Sequence, residues 1–340
     1  MAETELVCAN RECRIAQGGR CIEGHDDLAR CLYYGKEPEE SEQDEDEGDD
    51  DQEAIDRFDG VLLPDALPLE SRRADRVLAS LPSRMIGVIG VHDSGKTSVI
   101  AGLFDLFQVG PVADAIFAGS STLHGLEMIC HDARVASERD EPHSERTKRG
   151  EVRFYHFDVL RDGLLQSVLI ADRSGEEYEE VADLAANATA MFELRRADVI
   201  TVLVDGRRLA SSRDRADVIG AIPLIIQGMV ENGAFTRRPN LAIVLTKDDA
   251  VQASPRKDQV QRDFHAIIGG IRDAFAVHFG EIGTFVTSAS PKDTNVMRGA
   301  GLAEMLEFWM KPGAEPQGIR QHHRSGRVFD GLMVEEAERG

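Results

Sequence analysis

The sequence predicts an α/β fold whose sheet is mostly parallel with one antiparallel hairpin strand, preceded by a small Cys-rich N-terminal module. Three observations predict it. Short apolar runs suited to buried strands alternate with longer stretches of helical periodicity, the pattern of successive βα units. The first run, residues 85–89 (MIGVI), opens directly into Gly90-Val91-His92-Asp93-Ser94-Gly95-Lys96-Thr97, which fits GxxxxGK[ST] at every fixed position. Further on, Arg161-Asp162-Gly163 is a tight-turn signal between two apolar runs, so those two strands pair as a hairpin.

Composition bounds the reading. At 340 residues the chain is long enough for one large domain plus a small one. Residues 37–53 contain twelve acids and no Lys or Arg, more than half of the formal net charge of −22. An acidic chain without a basic patch argues against nucleic acid as a main partner. The longest apolar run, residues 218–230, contains Pro223 and Gln227 and is too short to span a bilayer, so no membrane partner is expected. The first residues, MAETELVCANRECR, lack a cationic start followed by an apolar core. A cytoplasmic protein with reduced thiols is the expectation.

Residues 1–36 hold Cys8, Cys13, Cys21 and Cys31, with His25 among them and Gly18, Gly19 and Gly24 suited to tight turns. In a reducing compartment that clustering suggests a zinc site of four thiolates, or three plus His25, standing in for a core too small to fold alone. Residues 37–54 have the composition of a disordered linker. Residues 55–82 read as a lead-in segment that packs onto the main domain, residues 83–312. Residues 313–340, rich in Gly, Arg and His, read as a mobile tail, and His322-His323 within it as solvated rather than metal-binding.

Within the main domain, Val99, Leu103 and Leu106 follow the glycine loop at helical spacing. A helix is expected over 123–135, an exposed loop over 140–150, and strands over 152–160 and 164–171. Then come a helix over 176–197, a strand over 199–204, and a helix over 213–231 with a kink allowed at Pro223. A strand over 241–245, a helix over 256–279, a sixth strand over 283–286 and a last helix over 302–310, with Trp309, complete it. Cys130 reads as a packed thiol.

The motifs at the strand ends carry the chemistry. Gly90 and Gly95 let the backbone N–H groups of His92, Asp93 and Ser94 turn inward around phosphates, and the following helix N-terminus adds positive dipole. Lys96 can reach β- and γ-phosphates, and the Thr97 hydroxyl can ligate Mg²⁺; Ser98 completes the nucleotide-binding set. Asp172-Arg173-Ser174-Gly175 closes the second hairpin strand as a DxxG. Its Asp172 would hold Mg²⁺ through water, and the Gly175 N–H would sense the terminal phosphate. Thr246-Lys247-Asp248-Asp249 follows the strand over 241–245. Asp249 would accept hydrogen bonds from guanine N1–H and the 2-amino group, and Lys247 would lie along the base. Adenine would leave that carboxylate unpaired. Thr287-Ser288-Ala289-Ser290 follows the sixth strand, with Ser288 and Ala289 placed to support the base.

Phosphate loop, DxxG, TKxD and TSAS stand in this order, each at the end of an expected strand, and together resemble the Ras-like GTPase superfamily of P-loop NTPases over residues 84–311. The hairpin fits, since in that superfamily the second strand runs antiparallel to the third. More narrowly, FAGSSTLHGLE, ADRSGE, VLVDGRRLA and the leader's GGRCIEGH resemble the second branch of the bacterial double-GTPase family. The resemblance implies GTP and GDP as ligands, Mg²⁺, a paired second GTPase and a place in bacterial conflict or stress signalling.

Two positions depart from the superfamily. Glu176 follows the DxxG where many small GTPases carry the glutamine that orients the attacking water, so slow intrinsic hydrolysis is expected. The switch I threonine that caps Mg²⁺ is Thr147, just ahead of the hairpin, or Thr122 inside FAGSST. Arg173 and Arg146 are candidates for a catalytic cation in cis. The leading expectation is a GTP-hydrolysing switch using Lys96, Glu176 and Thr147; the rival is a nucleotide-binding adaptor that acts through its Cys-rich module. An ATPase survives only if TKDD lies outside the base pocket.

Overall fold

A computed structural model describes residues 66–133, 149–291 and 297–311, with Leu28, Cys31 and Tyr34 ahead of them. The chain divides into two compact units, Met1–Leu63 and Pro64–Gly340. Of the first unit the described residues include Cys31, which is buried with a free thiol. Cys8, Cys13, Cys21, the acidic stretch over 37–54 and the tail over 313–340 lie outside the described residues.

The second unit is built on a sheet of seven strands in the order β2-β3-β4-β1-β5-β6-β7. In chain order its elements begin with α1 (Ser71–Ser80), β1 (Ser83–Ile89), α2 (Lys96–Val109), β2 (Ile116–Gly119) and α3 (Leu123–Ala133). The hairpin β3 (Val152–Arg161) and β4 (Leu164–Arg173) leads to α4 (Gly175–Asp183), β5 (Val199–Asp205), α5 (Gly206–Ala210) and α6 (Arg215–Glu231). Then follow β6 (Asn240–Thr246), α7 (Asp248–Gln252), α8 (Lys257–Phe275), β7 (Ile282–Val286) and α9 (Leu302–Met310). β1 pairs parallel with β4 and β5, and β6 pairs parallel with β5 and β7. β3 alone runs antiparallel to its neighbours, β2 and β4. The β3–β4 turn has Asp162 and Gly163 at φ 51° and 78°, the left-handed pair that matches the twist of a tight hairpin.

Every residue of β5 and β6 is buried, as parallel strands covered on both faces must be. One face packs Ile200, Val202, Ile243 and Leu245 against Tyr178 and Val181 of α4, Ile222 and Ile225 of α6, and Phe264 and Ile271 of α8. The other packs Ile86, Val88, Val199 and Val244 against Ile100 and Phe104 of α2, Leu126 of α3 and Trp309 of α9. The indole Nε1 of Trp309 donates to Thr201 Oγ1 at 2.8 Å, so the one polar atom of that side chain is satisfied in the core. Cys130 is fully buried, with its Sγ 3.3 Å from Ala101 O.

β2, α4 and α8 differ from expectation, and α5 and α7 are additional short helices. β2 is an additional strand, so the strand at Ile282–Val286 is the seventh. It is held by pairing with β3 and by Phe117, which packs edge-on against Phe104 and Phe157. The helix expected over 176–197 ends at Asp183 because Leu184 turns extended (φ −142°, ψ 103°) and the Asn187 amide donates to Glu180 O at 3.0 Å. A side chain that binds a last-turn carbonyl offers the chain an exit from the helix; two 3₁₀ turns, Ala185–Ala190 and Phe192–Arg196, follow. α8 likewise stops at Phe275 and passes through a 3₁₀ turn, Ala276–His278. Among the described residues no helix is long and apolar enough to cross a membrane.

Candidate functional site

The C-terminal ends of β1, β4, β5 and β6 lie along one edge of the sheet, and the loops leaving them converge there. In open α/β sheets this edge is where ligands bind. The loop after β1 turns sharply, with Asp93 at φ 60° and Gly95 at φ 97°. A left-handed Asp is tolerated at a cost, and Gly95 takes the same region without one. A Cβ on Gly90 would lie 2.3 Å from Ser94 Oγ, so any larger residue there would displace the Ser94 hydroxyl from its place in the loop. Ser94 Oγ is buried and has no hydrogen-bond partner, a polar atom left over inside the cradle.

Lys96, at the start of α2, folds back over the loop. Its Nζ donates to Gly90 O at 2.9 Å and Val91 O at 3.3 Å, and lies 6.0 Å from the centre of the Tyr178 ring. Burial pulls its pKa below the usual lysine range, while Asp172, Glu179 and Asp93 hold it up. Thr97 is the next residue, and its Oγ1 donates to Asp172 Oδ2 at 2.9 Å, tying the glycine loop to the end of β4. A hydroxyl and a buried carboxylate side by side are oxygen donors suited to a hard cation such as Mg²⁺. Gly175 packs against the loop as well: a Cβ there would meet His92 N at 2.4 Å. Ser98 is half-buried in the first turn of α2.

The loop after β6 braces the first one. Thr246 Oγ1 donates to Ser94 O at 2.9 Å. Lys247, itself left-handed at φ 58°, donates from Nζ to Asp93 O at 2.5 Å and to the buried Asp205 Oδ2 at 2.8 Å. Burial alone would raise the Asp93 pKa, but Lys247 and Arg207 outweigh it and hold the carboxyl below its usual range. The Asp249 N–H donates to Ser288 Oγ at 3.0 Å, and the Asp248 N–H to Thr287 O at 3.1 Å. Thus TKDD and TSAS meet, with Ala289 buried beside them and its carbonyl against Gly102 of α2.

The other expected residues separate. Glu176 accepts from Arg149 Nε at 2.6 Å, at the start of α4. Thr147 and Arg146 lie outside the described residues. Thr122 is fully buried, and its Oγ1 accepts from His156 N at 2.9 Å, which commits that hydroxyl to the backbone of β3. Arg173 is not a cation poised for catalysis. Its side chain is 3% exposed; Nε and Nη2 fork onto Glu193 at 2.8 and 2.9 Å, and Nη1 reaches Glu177 at 2.6 Å. That bidentate clasp holds the 3₁₀ turns against β4.

Sequence reasoning passed over Asp205, Arg207 and Glu179. Asp205 ends a wholly buried apolar strand, a signal that was present. Arg207 donates to Asp93 Oδ2 at 2.7 Å and Glu179 accepts from His92 N at 3.1 Å, contacts between exposed or half-exposed groups with no sequence signature.

The set fits a nucleotide: a glycine cradle with a lysine and a helix N-terminus for phosphate, paired oxygens for Mg²⁺, and a carboxylate loop at the neighbouring strand. No curated protein matches the chain. The family model described as Double-GTPase 2 matches residues 84–310, from β1 through α9. That span covers well over half of the chain and holds all four strand-end loops, and the chain accordingly belongs to the Double-GTPase 2 family, whose domain is that of a GTPase.

Proposed function

We propose that the protein is a GTP-binding, GTP-hydrolysing molecular switch that is slow alone and works with a partner GTPase in bacterial conflict or stress signalling. The observation that carries this reading is the 2.9 Å bond from Thr97 to Asp172, which couples the glycine loop to the DRSG segment. Bound Mg²⁺ would supply charge neutralisation at the terminal phosphates. Thr97 and Asp172 would hold it, and Lys96, His92, Asp93, Ser94 and Gly95 would surround the phosphates. Gly175 would register the terminal phosphate through its N–H, and Thr147 would close over the metal. Asp249 would read guanine, with Thr246, Lys247, Ser288 and Ala289 shaping the pocket. Glu176 would meet the attacking water. The partner GTPase and the signalling role rest on the family alone.

A second reading, a nucleotide-binding adaptor with little turnover, draws support from the Arg149–Glu176 ion pair, which engages the carboxylate that would otherwise face water. Single-turnover hydrolysis by the purified protein, with and without a neighbouring GTPase, separates the two. A switch predicts a slow rate that a partner raises by roughly 10³-fold or more, and Glu176→Gln should alter the rate rather than GTP affinity. No phosphate release under either condition favours the adaptor. For either role we propose that residues 1–36 form a cytoplasmic zinc module through Cys8, Cys13, Cys21 and Cys31, joined by the linker 37–54 to the lead-in 55–82, the GTPase domain 83–312 and the tail 313–340. Metal content below about a tenth of an equivalent, in protein purified without chelator, would remove that module.

A further inference from the structure

The segment that follows DRSG lies directly on the phosphate loop. Gly175 is packed against Val91 and His92 so closely that a Cβ would sit 2.5 Å from Val91 C and 2.4 Å from His92 N. One turn later along α4, Glu179 takes the N–H of His92 onto its Oε1 at 3.1 Å. The place of this contact gives it meaning. His92 follows Gly90 and Val91, whose carbonyls receive the Lys96 ammonium at 2.9 and 3.3 Å. The Glu179 carboxylate therefore stands at the lysine end of the loop, and its charge acts on Lys96 alongside those of Asp172 and Asp93. In a GxxxxGK[ST] loop this is the end that meets the β- and γ-phosphates.

We propose that Glu179 is a specificity-determining residue that sets the preference between guanosine di- and triphosphate, by holding its carboxylate on the His92 amide where a third phosphate brings its charge. A nucleoside diphosphate leaves the His92–Glu179 bond in place. A triphosphate adds negative charge beside a carboxylate inside a partly buried site, where like charges repel more strongly than in water. Glu179 then has to turn away from the amide about its own side-chain bonds, while Gly175 at the head of α4 stays on the loop. The same contact thus lowers affinity for the triphosphate relative to the diphosphate. Nothing in the sequence marks this residue, which is the fourth of the five acids Asp172, Glu176, Glu177, Glu179 and Glu180 that run from the end of β4 into α4.

This inference rests on the nucleotide reading given above, and the test keeps the two apart. Dissociation constants for Mg²⁺–GDP and for a non-hydrolysable Mg²⁺–GTP analogue are measured by calorimetry on the full chain, for wild type, Glu179→Gln, Glu179→Ala and Glu180→Gln. Glu180 pairs with Arg149 rather than the loop, so its variant is a charge-matched control. The expected result is that both Glu179 variants bind the triphosphate analogue about tenfold tighter relative to GDP, a change of about 1.4 kcal/mol, while Glu180→Gln keeps the wild-type ratio. A ratio within twofold of wild type in both Glu179 variants, with GDP still bound, overturns the inference and leaves the nucleotide site standing. An equal gain in Glu180→Gln overturns it too, since net charge alone would then explain the effect. Wild-type protein that binds neither nucleotide overturns the site and the inference together.

Discussion

Lys96, Thr97 and Asp249 carry side chains that the sequence marks by fixed spacing, because the phosphate and base contacts we propose for them require particular atoms at particular offsets. Arg173 shows the opposite case. Lying inside DxxG, it reads as a free cation, yet both faces of its guanidinium edge are occupied by Glu193 and Glu177, and Glu193 has no exposed side-chain surface. Arg173→Leu should leave Glu193 buried and unpaired, a loss of roughly 3–5 kcal/mol of stability. Urea unfolding measures it. A loss below about 1 kcal/mol would mean the clasp is not structural, and the arginine would return as a catalytic candidate. Arg173 therefore differs from its neighbour Asp172: one clasps the 3₁₀ turns, and the other bonds Thr97 of the glycine loop. Sequence spacing alone does not separate them, since the partner at Glu193 lies on a turn that forms only when α4 ends early.

Elements were legible where their pattern is dictated by burial on both sides. β5 and β6 read from sequence within a residue or two of their ends, as did α9. β2 was hidden because four residues, IFAG, give no period, and the strand exists through its pairing with β3. The join between β2 and α3 depends on one buried histidine. His156 Nδ1 accepts from Ser121 N at 2.9 Å, and its Nε2 lies 3.0 Å from Asp158 Oδ1, so the neutral ring carrying its proton on Nε2 satisfies both. Burial lowers the His156 pKa, with Asp158 opposing but not reversing the shift. A histidine whose folded pKa is depressed binds its proton more readily when unfolded. Its contribution is therefore full above the unfolded value of about 6.5 and is lost as pH falls from there toward the folded value. Stability measured from pH 8 to pH 5 should fall below about pH 6.5, with a slope from this residue of up to ~1.4 kcal/mol per pH unit. His156→Asn, whose amide oxygen can receive the Ser121 N–H, should flatten that limb. An identical pH profile in the variant would place the titration elsewhere.

At the scale of the molecule, the sheet brings four loops distant in sequence to one edge and lets them hold each other. Thr246 and Lys247 come from β6 yet bond the backbone of the loop after β1, while Thr97 bonds Asp172 from β4. The site is thus made by topology, and the sequence reveals its parts only because each sits at a strand end. The contacts between those parts, including Asp205 beneath Lys247 and Glu179 above His92, become visible only with the fold. Base choice is where this cross-bracing would have its clearest consequence, because Asp249, which we propose reads guanine, follows Thr246 and Lys247, whose side chains bond the loop after β1. Competition binding of GTP, ATP and XTP to wild type and Asp249→Asn is the deciding measurement. Wild type is expected to prefer GTP over ATP by about two orders of magnitude or more, since adenine offers the Asp249 carboxylate no donors in place of guanine N1–H and the 2-amino group, a difference on the order of kilocalories. Asp249→Asn is expected to shift preference toward XTP, the amide N–H facing the xanthine carbonyl. Equal affinity of wild type for GTP and ATP, or a variant with unchanged base preference, would contradict this reading of Asp249.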